Sequence, residues 1–77
     1  MKFEILGVIE EVKTIAAGPS LRIRGFLQKA YGGSRWWKLK GVATVRLRSG
    51  QIRRVELHWY EAHGVGRRDV RIKRYVD

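Results

Sequence analysis

The densest group of chemically reactive side chains lies in one eight-residue segment, Glu56 to His63 (ELHWYEAH). It holds both histidines of the protein, and Arg67, Arg68 and Asp69 follow shortly after it. A metal-independent ribonuclease needs a base for the 2′-hydroxyl, an acid for the leaving oxygen and a cation for the phosphate. Histidine, glutamate, tyrosine and arginine supply those functions, so the segment is a candidate active site.

Within this segment His58 is the candidate base and His63 the candidate acid, with Glu61 or Glu56 as the orienting carboxylate. The competing interpretation is that His58 is a bystander among basic strands and His63 an ordinary loop residue. A metal site built from the same residues is disfavoured, because the two histidines differ in setting and the surrounding positive charge repels cations. The sequence has no cysteine and no phosphate-loop motif, and no cofactor is predicted.

Net charge is the strongest compositional signal. Seventeen Lys and Arg against seven Asp and Glu give +10 over 77 residues, a length that predicts one small domain spanning 1–77. Such a charge favours association with polyanions, and nucleic acid is the first candidate partner. Solubility alone, an anionic membrane surface or an acidic protein partner are the alternatives. The first apolar run, FEILGVIEEV, contains acidic residues, which indicates neither a signal peptide nor a membrane span.

The reactive segment must be positioned by a β-hairpin over residues 36–60. Apolar residues, with Gly41 among them, occupy alternate positions in both of its arms. Basic and aromatic residues, together with Thr44 and Glu56, occupy positions between them. Because side chains alternate across a strand, one face of this sheet is expected to be buried and the other exposed. Gly50 suits the left-handed position of a three-residue turn, which pairs Lys38 with Tyr60 and Lys40 with His58.

The exposed face predicted in this way combines cations with aromatic rings. Cations bind phosphates, and aromatic rings stack on unpaired bases, so the face predicts an RNA or single-stranded DNA interface. The alternative is a solvated face on which Arg and Lys stems cover the rings. The candidate binding residues, apart from His58, are Trp36, Lys38, Lys40, Arg46, Arg54, Tyr60, Arg71, Lys73 and Tyr75.

The rest of the chain completes the sheet. Residues 3–15 predict a first strand with a bulge near Gly7, and a helix over 8–16 is the alternative. A helix is expected after Gly18-Pro19-Ser20, since Ile23, Phe26, Leu27, Ala30 and Tyr31 follow helical spacing, and Gly32-Gly33 ends it. A four-residue turn at 63–66 leads to a last strand carrying Val70 and Ile72 on the buried face.

The predicted fold is therefore α+β, a single β-α-β-β-β domain with a four-stranded, mainly antiparallel sheet and one helix on its apolar face. An SH3-like small β-barrel is the alternative, and it requires residues 20–31 to be extended. The position of the first strand in the sheet stays open, and pairing through a sheet edge could produce a homodimer.

The segments WWKLKG, from Trp36, and ELHWYEAHGVGRR, from Glu56, resemble a group of small, basic, uncharacterised prokaryotic proteins sharing a WxKLKG…ELHWYEAHGxGRR pattern. The resemblance covers about the last forty residues, implies a prokaryotic, cytoplasmic setting and carries no activity with it. Three hypotheses result: a nucleic-acid-binding module on the exposed face, a toxin-like endoribonuclease using His58, His63 and Glu61, and a basic adaptor for an acidic protein.

Overall fold

A four-stranded antiparallel sheet and one helix make up the computed structural model, which describes residues 2–33 and 35–77. The strands are β1 (Phe3–Ala17), β2 (Trp36–Leu47), β3 (Ile52–Ala62) and β4 (Gly66–Tyr75), paired in the order β1-β2-β3-β4. A 3-10 turn at Gly18–Ser20 leads to the helix α1 (Arg24–Tyr31). The predicted β-α-β-β-β fold is confirmed, and the barrel alternative is wrong because the segment before Gly32 is helical.

The β2–β3 hairpin forms in the predicted register. Lys38 pairs with Tyr60 and Lys40 with His58. Gly50 has a φ of 91° and its N–H donates to the carbonyl of Leu47 at 2.8 Å, which closes the turn. The ladder between these two strands has no register shift, so it is the regular centre of the sheet.

The odd-numbered face of β2 and β3 forms the main core. Phe3, Ile5 and Ile9 from β1, and Val70 and Ile72 from β4, pack against it. No residue of α1 belongs to this cluster, because the curled sheet supplies the cover from its own edge strands. The fully buried members are Ala43, Val45, Val55, Leu57 and Trp59.

Bulges in β1 allow that strand to follow the curve. Leu6 and Glu10 are four residues apart, whereas their partners Thr44 and Val42 are two apart, and Gly7 between them has a φ of 78°. This confirms the bulge predicted near Gly7, since extra residues bend a strand and increase its twist.

The helix packs on the opposite face of the sheet from the one predicted. Its single buried residue, Leu27, clusters with Leu21, Trp36 and Ala62, and Tyr60 packs at the margin. Trp36 and Ala62 are cross-strand partners on the even-numbered face. The prediction of a helix over the apolar face is wrong because the edge strands already fill that face.

The helix is also shorter than its apolar spacing predicts. It begins at Arg24, because the Ser20 hydroxyl donates to the carbonyl of Ala17 at 2.7 Å and closes the preceding turn instead. Phe26 is 59% exposed and Tyr31 37% exposed, so only Leu27 of the predicted stripe is buried within the helix. Gly32, with a φ of 77°, ends the helix as predicted.

The connection between β3 and β4 departs from the predicted register. Gly66 pairs with Ala62, so the turn has three residues and not four. His58 pairs with Arg71 as expected, but β4 carries extra residues on both sides of that pair. Asp69, at one of these shifts, has a φ of 53°. Tyr75 therefore pairs with Val55 and not with Arg54.

Candidate functional site

A cleft of about 330 Å³ lies on the even-numbered face of the sheet, beside the chain that enters α1. Strands β2, β3 and β4 supply most of its walls, and Ile23 closes the end nearest the helix. Its volume lies at the lower end of the range of small-ligand sites. The lining residues are Ile23, Lys38, His58, Tyr60, Asp69, Arg71, Ile72 and Lys73.

Three cations line this cleft, which is called the basic cleft below. Within residues 2–33 and 35–77, no ion pair involves Lys38, Arg71 or Lys73. Lys38 lies beside its cross-strand partner, with Nζ 5.8 Å from the centre of the Tyr60 ring. Uncompensated cations around a concave surface create a positive potential that attracts anions.

The one carboxylate in the cleft walls is Asp69, whose negative charge offsets part of that of the cations. It accepts a hydrogen bond from the Tyr31 hydroxyl at 3.0 Å, which ties β4 to the helix. That bond is the main reason why the pKa of Tyr31 is raised, with desolvation and the negative charge of Asp69 adding to it. The guanidinium of Arg68 lies 5.5 Å from the same ring.

A histidine and a glutamate form a bonded pair in the floor of the sheet. His58 Nε2 and Glu56 Oε2 are 2.7 Å apart, and both side chains are largely buried, at 16% and 13% exposed. Arg74 contacts the other oxygen of Glu56, with Nη2 at 3.0 Å. The hydrogen bond to His58, followed by that to Arg74, holds the pKa of Glu56 below its usual value. Glu56 is therefore ionised at neutral pH.

A second cleft adjoins the first along β3 and holds more of the predicted cations. Lys40, the cross-strand partner of His58, lines it. Arg54 also lines it but is occupied, since its guanidinium contacts Glu10 and the Thr44 hydroxyl. The other residues lining this cleft are Glu11, Lys13, Gly41, Val42, Glu56, Arg74 and Val76.

Arg46, another predicted phosphate contact, is also in an ion pair, with Glu4 of β1 at 2.8 Å. Each of these pairs joins β1 to the hairpin across the sheet. Arg46 and Arg54 are thus less available to an external anion than Lys38, Lys40, Arg71 and Lys73 are.

Two of the three predicted stacking residues do not lie on the exposed face. Trp36 has the predicted parity, but α1 covers it, leaving the side chain 1% exposed with Nε1 donating to the Gly32 carbonyl at 3.0 Å. Tyr75 is shifted by the bulges of β4 to the side of its partner Val55, where the Arg53 guanidinium lies 4.3 Å from the ring centre. Tyr60 alone lines the basic cleft.

The residues predicted as a catalytic set are not brought together. His58 lines the basic cleft, but Glu61, three positions along β3, accepts a hydrogen bond from Trp59 Nε1 at 2.9 Å on the other side of the sheet. Glu61 there lines a separate cleft with Val8 and Val12. His63 is exposed in the β3–β4 turn. The set of His58, His63 and Glu61 therefore has no common pocket.

The two clefts also contain residues that are not among the candidate binding or catalytic residues predicted from the sequence. Ile23 and Asp69 line the first cleft, and Lys13 and Arg74 line the second. The bulges that determine the positions of Asp69 and Arg74 lie in the segment RRDVRIKRY. This segment has no glycine or proline that would predict a bulge. Of the two residues in the Glu56–Arg74 contact, Glu56 is a candidate predicted from the sequence and Arg74 is not.

Comparisons of the chain with protein-family models, with curated proteins and with solved structures gave no match. Among the residues described, none belongs to a helix of the length and apolarity needed to cross a bilayer.

Proposed function

We propose that the protein binds single-stranded nucleic acid, RNA or DNA, in the basic cleft on the even-numbered face of the sheet. The observation that carries this proposal is the set of cations left without carboxylate partners around one concave surface. Lys38, Arg71 and Lys73 lie in the cleft, and Lys40 lies in the adjoining one. A strand of phosphates lying along both clefts would meet all four.

The tyrosine in the cleft favours an unpaired strand over a duplex. Tyr60 is half-buried and packs on one side against the cluster that holds α1. A base that is not already stacked and paired can stack on its ring once Lys38 Nζ, 5.8 Å from the ring centre, turns to a phosphate. Such base–aromatic stacking contributes roughly 1–3 kcal/mol. Lys38, which lies beside this ring, is placed to contact the phosphate next to such a base.

Binding is tested by fluorescence anisotropy with a labelled 12-nucleotide RNA, the matching single-stranded DNA and a duplex, each at several salt concentrations. Four phosphate contacts predict a slope of log K against log salt near −3 for a single strand, from about −0.7 per contact. Affinity that does not change with salt, or that is strongest for the duplex, contradicts the proposal.

A charge-matched pair of variants separates the cleft from the overall charge. Lys38→Ala with Arg71→Ala removes two cleft cations and is expected to make the slope shallower by about 1 to 1.5. Lys29→Ala with Arg48→Ala removes the same charge from exposed positions on α1 and the hairpin turn. Equal loss of binding in both double variants would mean that net charge alone, and no particular surface, attracts the nucleic acid.

A further inference from the structure

The imidazole of His58 presents its two nitrogens to different surroundings. Nε2 faces the Glu56 carboxylate at 2.7 Å. Because an ionised carboxylate can only accept, Nε2 must carry the hydrogen, which leaves the lone pair on Nδ1 in the neutral ring. Within the described residues Nδ1 has no hydrogen-bond partner, yet no buried side-chain nitrogen or oxygen lacks one. Nδ1 therefore reaches solvent, in a side chain that lines the basic cleft.

The carboxylate that fixes this tautomer is itself held in place. Arg74 Nη2 contacts Glu56 Oε1 at 3.0 Å, so that one oxygen binds the arginine and the other binds His58. Glu56 is only 13% exposed, and both hydrogen bonds favour its ionised form. A histidine oriented by a buried carboxylate is the arrangement by which a side chain serves as a general base.

We propose that the cleft cleaves the RNA that it binds, with His58 as the general base that activates a ribose 2′-hydroxyl. This inference rests on the nucleic-acid binding proposed above and commits the substrate to RNA. It requires neither His63 nor Glu61. Glu56 is a positioning residue, since it acts on the substrate only through the imidazole.

The reaction balances with groups that line the cleft. Nδ1 of His58 takes the 2′-hydroxyl proton while the 2′-oxygen forms a bond to phosphorus, and the bond between phosphorus and the 5′-oxygen breaks. The leaving 5′-oxygen takes a proton from the Tyr60 hydroxyl. The products are a 2′,3′-cyclic phosphate and a 5′-hydroxyl end, after which His58 releases its proton to water and Tyr60 regains one. Lys38 and Arg71 are placed to stabilise charge on the phosphoryl oxygens.

The test incubates the purified protein with a 5′-labelled RNA in EDTA and identifies the ends of the fragments. Cleavage is expected to give a cyclic phosphate and a 5′-hydroxyl. DNA of the same sequence and fully 2′-O-methylated RNA are expected to be bound and left intact. Fragments ending in a 3′-hydroxyl would overturn the proposal, because an attacking 2′-oxygen cannot produce them.

His58→Ala is expected to slow cleavage about 100-fold or more, the usual contribution of a general base. Its affinity for the 2′-O-methylated RNA should stay within about two-fold of the parent, since the base contributes little to phosphate contacts. The matched control is His63→Ala, which should cleave at the parent rate. His58→Gln provides a second variant if the alanine protein does not fold.

Glu56→Gln tests the positioning role. An amide can hold the imidazole with the opposite nitrogen protonated, so kcat is expected to fall about 10-fold or more while KM changes little. A loss confined to KM would contradict this role.

Failure of the cleavage proposal is distinguishable from failure of binding. RNA that is bound with salt-dependent affinity but stays intact overturns cleavage and leaves the binding proposal in place. RNA that is neither bound nor cut overturns both. Cleavage that persists in both His58→Ala and His58→Gln overturns the role of His58.

Discussion

The two faces of the sheet are closed in different ways. The odd-numbered face is sealed by the strands, because β1 and β4 bring Phe3, Ile9 and Ile72 over a centre in which Trp59 is 1% exposed. The even-numbered face is covered only at one end, where α1 rests on Trp36. Beyond that end it stays open and carries the basic clefts. The main core therefore does not depend on the helix, whereas the candidate site lies on the open face, with Ile23, the residue before α1, in one wall.

The largest loss of stability is expected when a side chain is removed from the core that the strands form. Trp59→Ala is expected to destabilise the protein by about 3–5 kcal/mol, because the indole is fully buried among residues from all four strands. Urea unfolding followed by circular dichroism measures this loss. Ile52→Ala, at a 56% exposed position on the same hairpin, is the control and should cost less than about 0.5 kcal/mol. A similar loss in both variants would contradict the difference in packing.

Removing a side chain from the cluster under the helix, which consists of Leu21, Leu27, Trp36 and Ala62, should cause a smaller and more local loss of stability. Leu27→Ala removes the one buried side chain of α1 and is expected to cost about 2–3 kcal/mol. Hydrogen exchange should rise in α1 before it rises in β2 and β3, because the helix contributes nothing to the main core. Exchange that rises equally in the hairpin would show that the two clusters unfold as one unit.

Replacing one glycine in each region by alanine should change the stability of the protein in opposite directions. An added Cβ at Gly41 would lie 2.5 Å from Ile9 Cγ2 and 3.2 Å from Trp59 Cη2, so Gly41→Ala should destabilise by about 1–3 kcal/mol. At Gly25, within α1, nothing lies within 4 Å of the added atom, and Gly25→Ala should stabilise by up to about 1 kcal/mol. Thermal unfolding of both variants measures the signs. Stabilisation at Gly41 would contradict the close approach of β1 to the indole.

The smallest expected effect concerns acid stability at the rim of the sheet. Arg53 holds Asp77 through two contacts at 2.9 Å and lowers the pKa of Asp77 to about 2, with the N–H of Arg54 also bonded to it. Because the folded pKa lies below the ordinary 3.8, this contact stabilises the protein above about pH 4 and is lost as the pH falls towards 2. Asp77→Asn should therefore lower Tm at pH 6 and approach the parent at pH 2. A difference that persists unchanged at pH 2 would assign the effect to something other than this charge.

The hairpin could be predicted because its apolar pattern and its turn residue indicate the same structure. Apolar residues alternate through 43–47 of β2 and 55–59 of β3, and Gly50 stands where the turn needs a left-handed residue. A slip of one position would have buried the cations, which fixes the register. That register alone places Lys38, Tyr60 and His58 on one face, and with it most of the candidate site.

The remaining features depend on contacts that sequence spacing does not report. The helical stripe indicates that α1 has an apolar side but not which face of the sheet it covers, and strand parity alone therefore predicts an exposed Trp36. In β4, Asp69 adopts a left-handed conformation, which aspartate tolerates but which its presence in a sequence does not predict. A second shift, between Glu56 and Leu57, carries Tyr75 away from the cleft and brings Arg74 to Glu56. The pairing of Glu56 with His58 follows from their spacing of two along one strand, whereas Glu61 lies three positions from His58 and therefore on the opposite face.

The irregular edges of the sheet have a consequence for the proposed binding to a long nucleic acid. Register shifts interrupt both outer ladders, β1–β2 and β3–β4, whereas the central ladder has none. Bulged edge strands offer no straight row of free N–H and C=O groups to a neighbour. Many copies crowded side by side along one strand are therefore expected to stay separate molecules, each able to leave when the salt concentration rises.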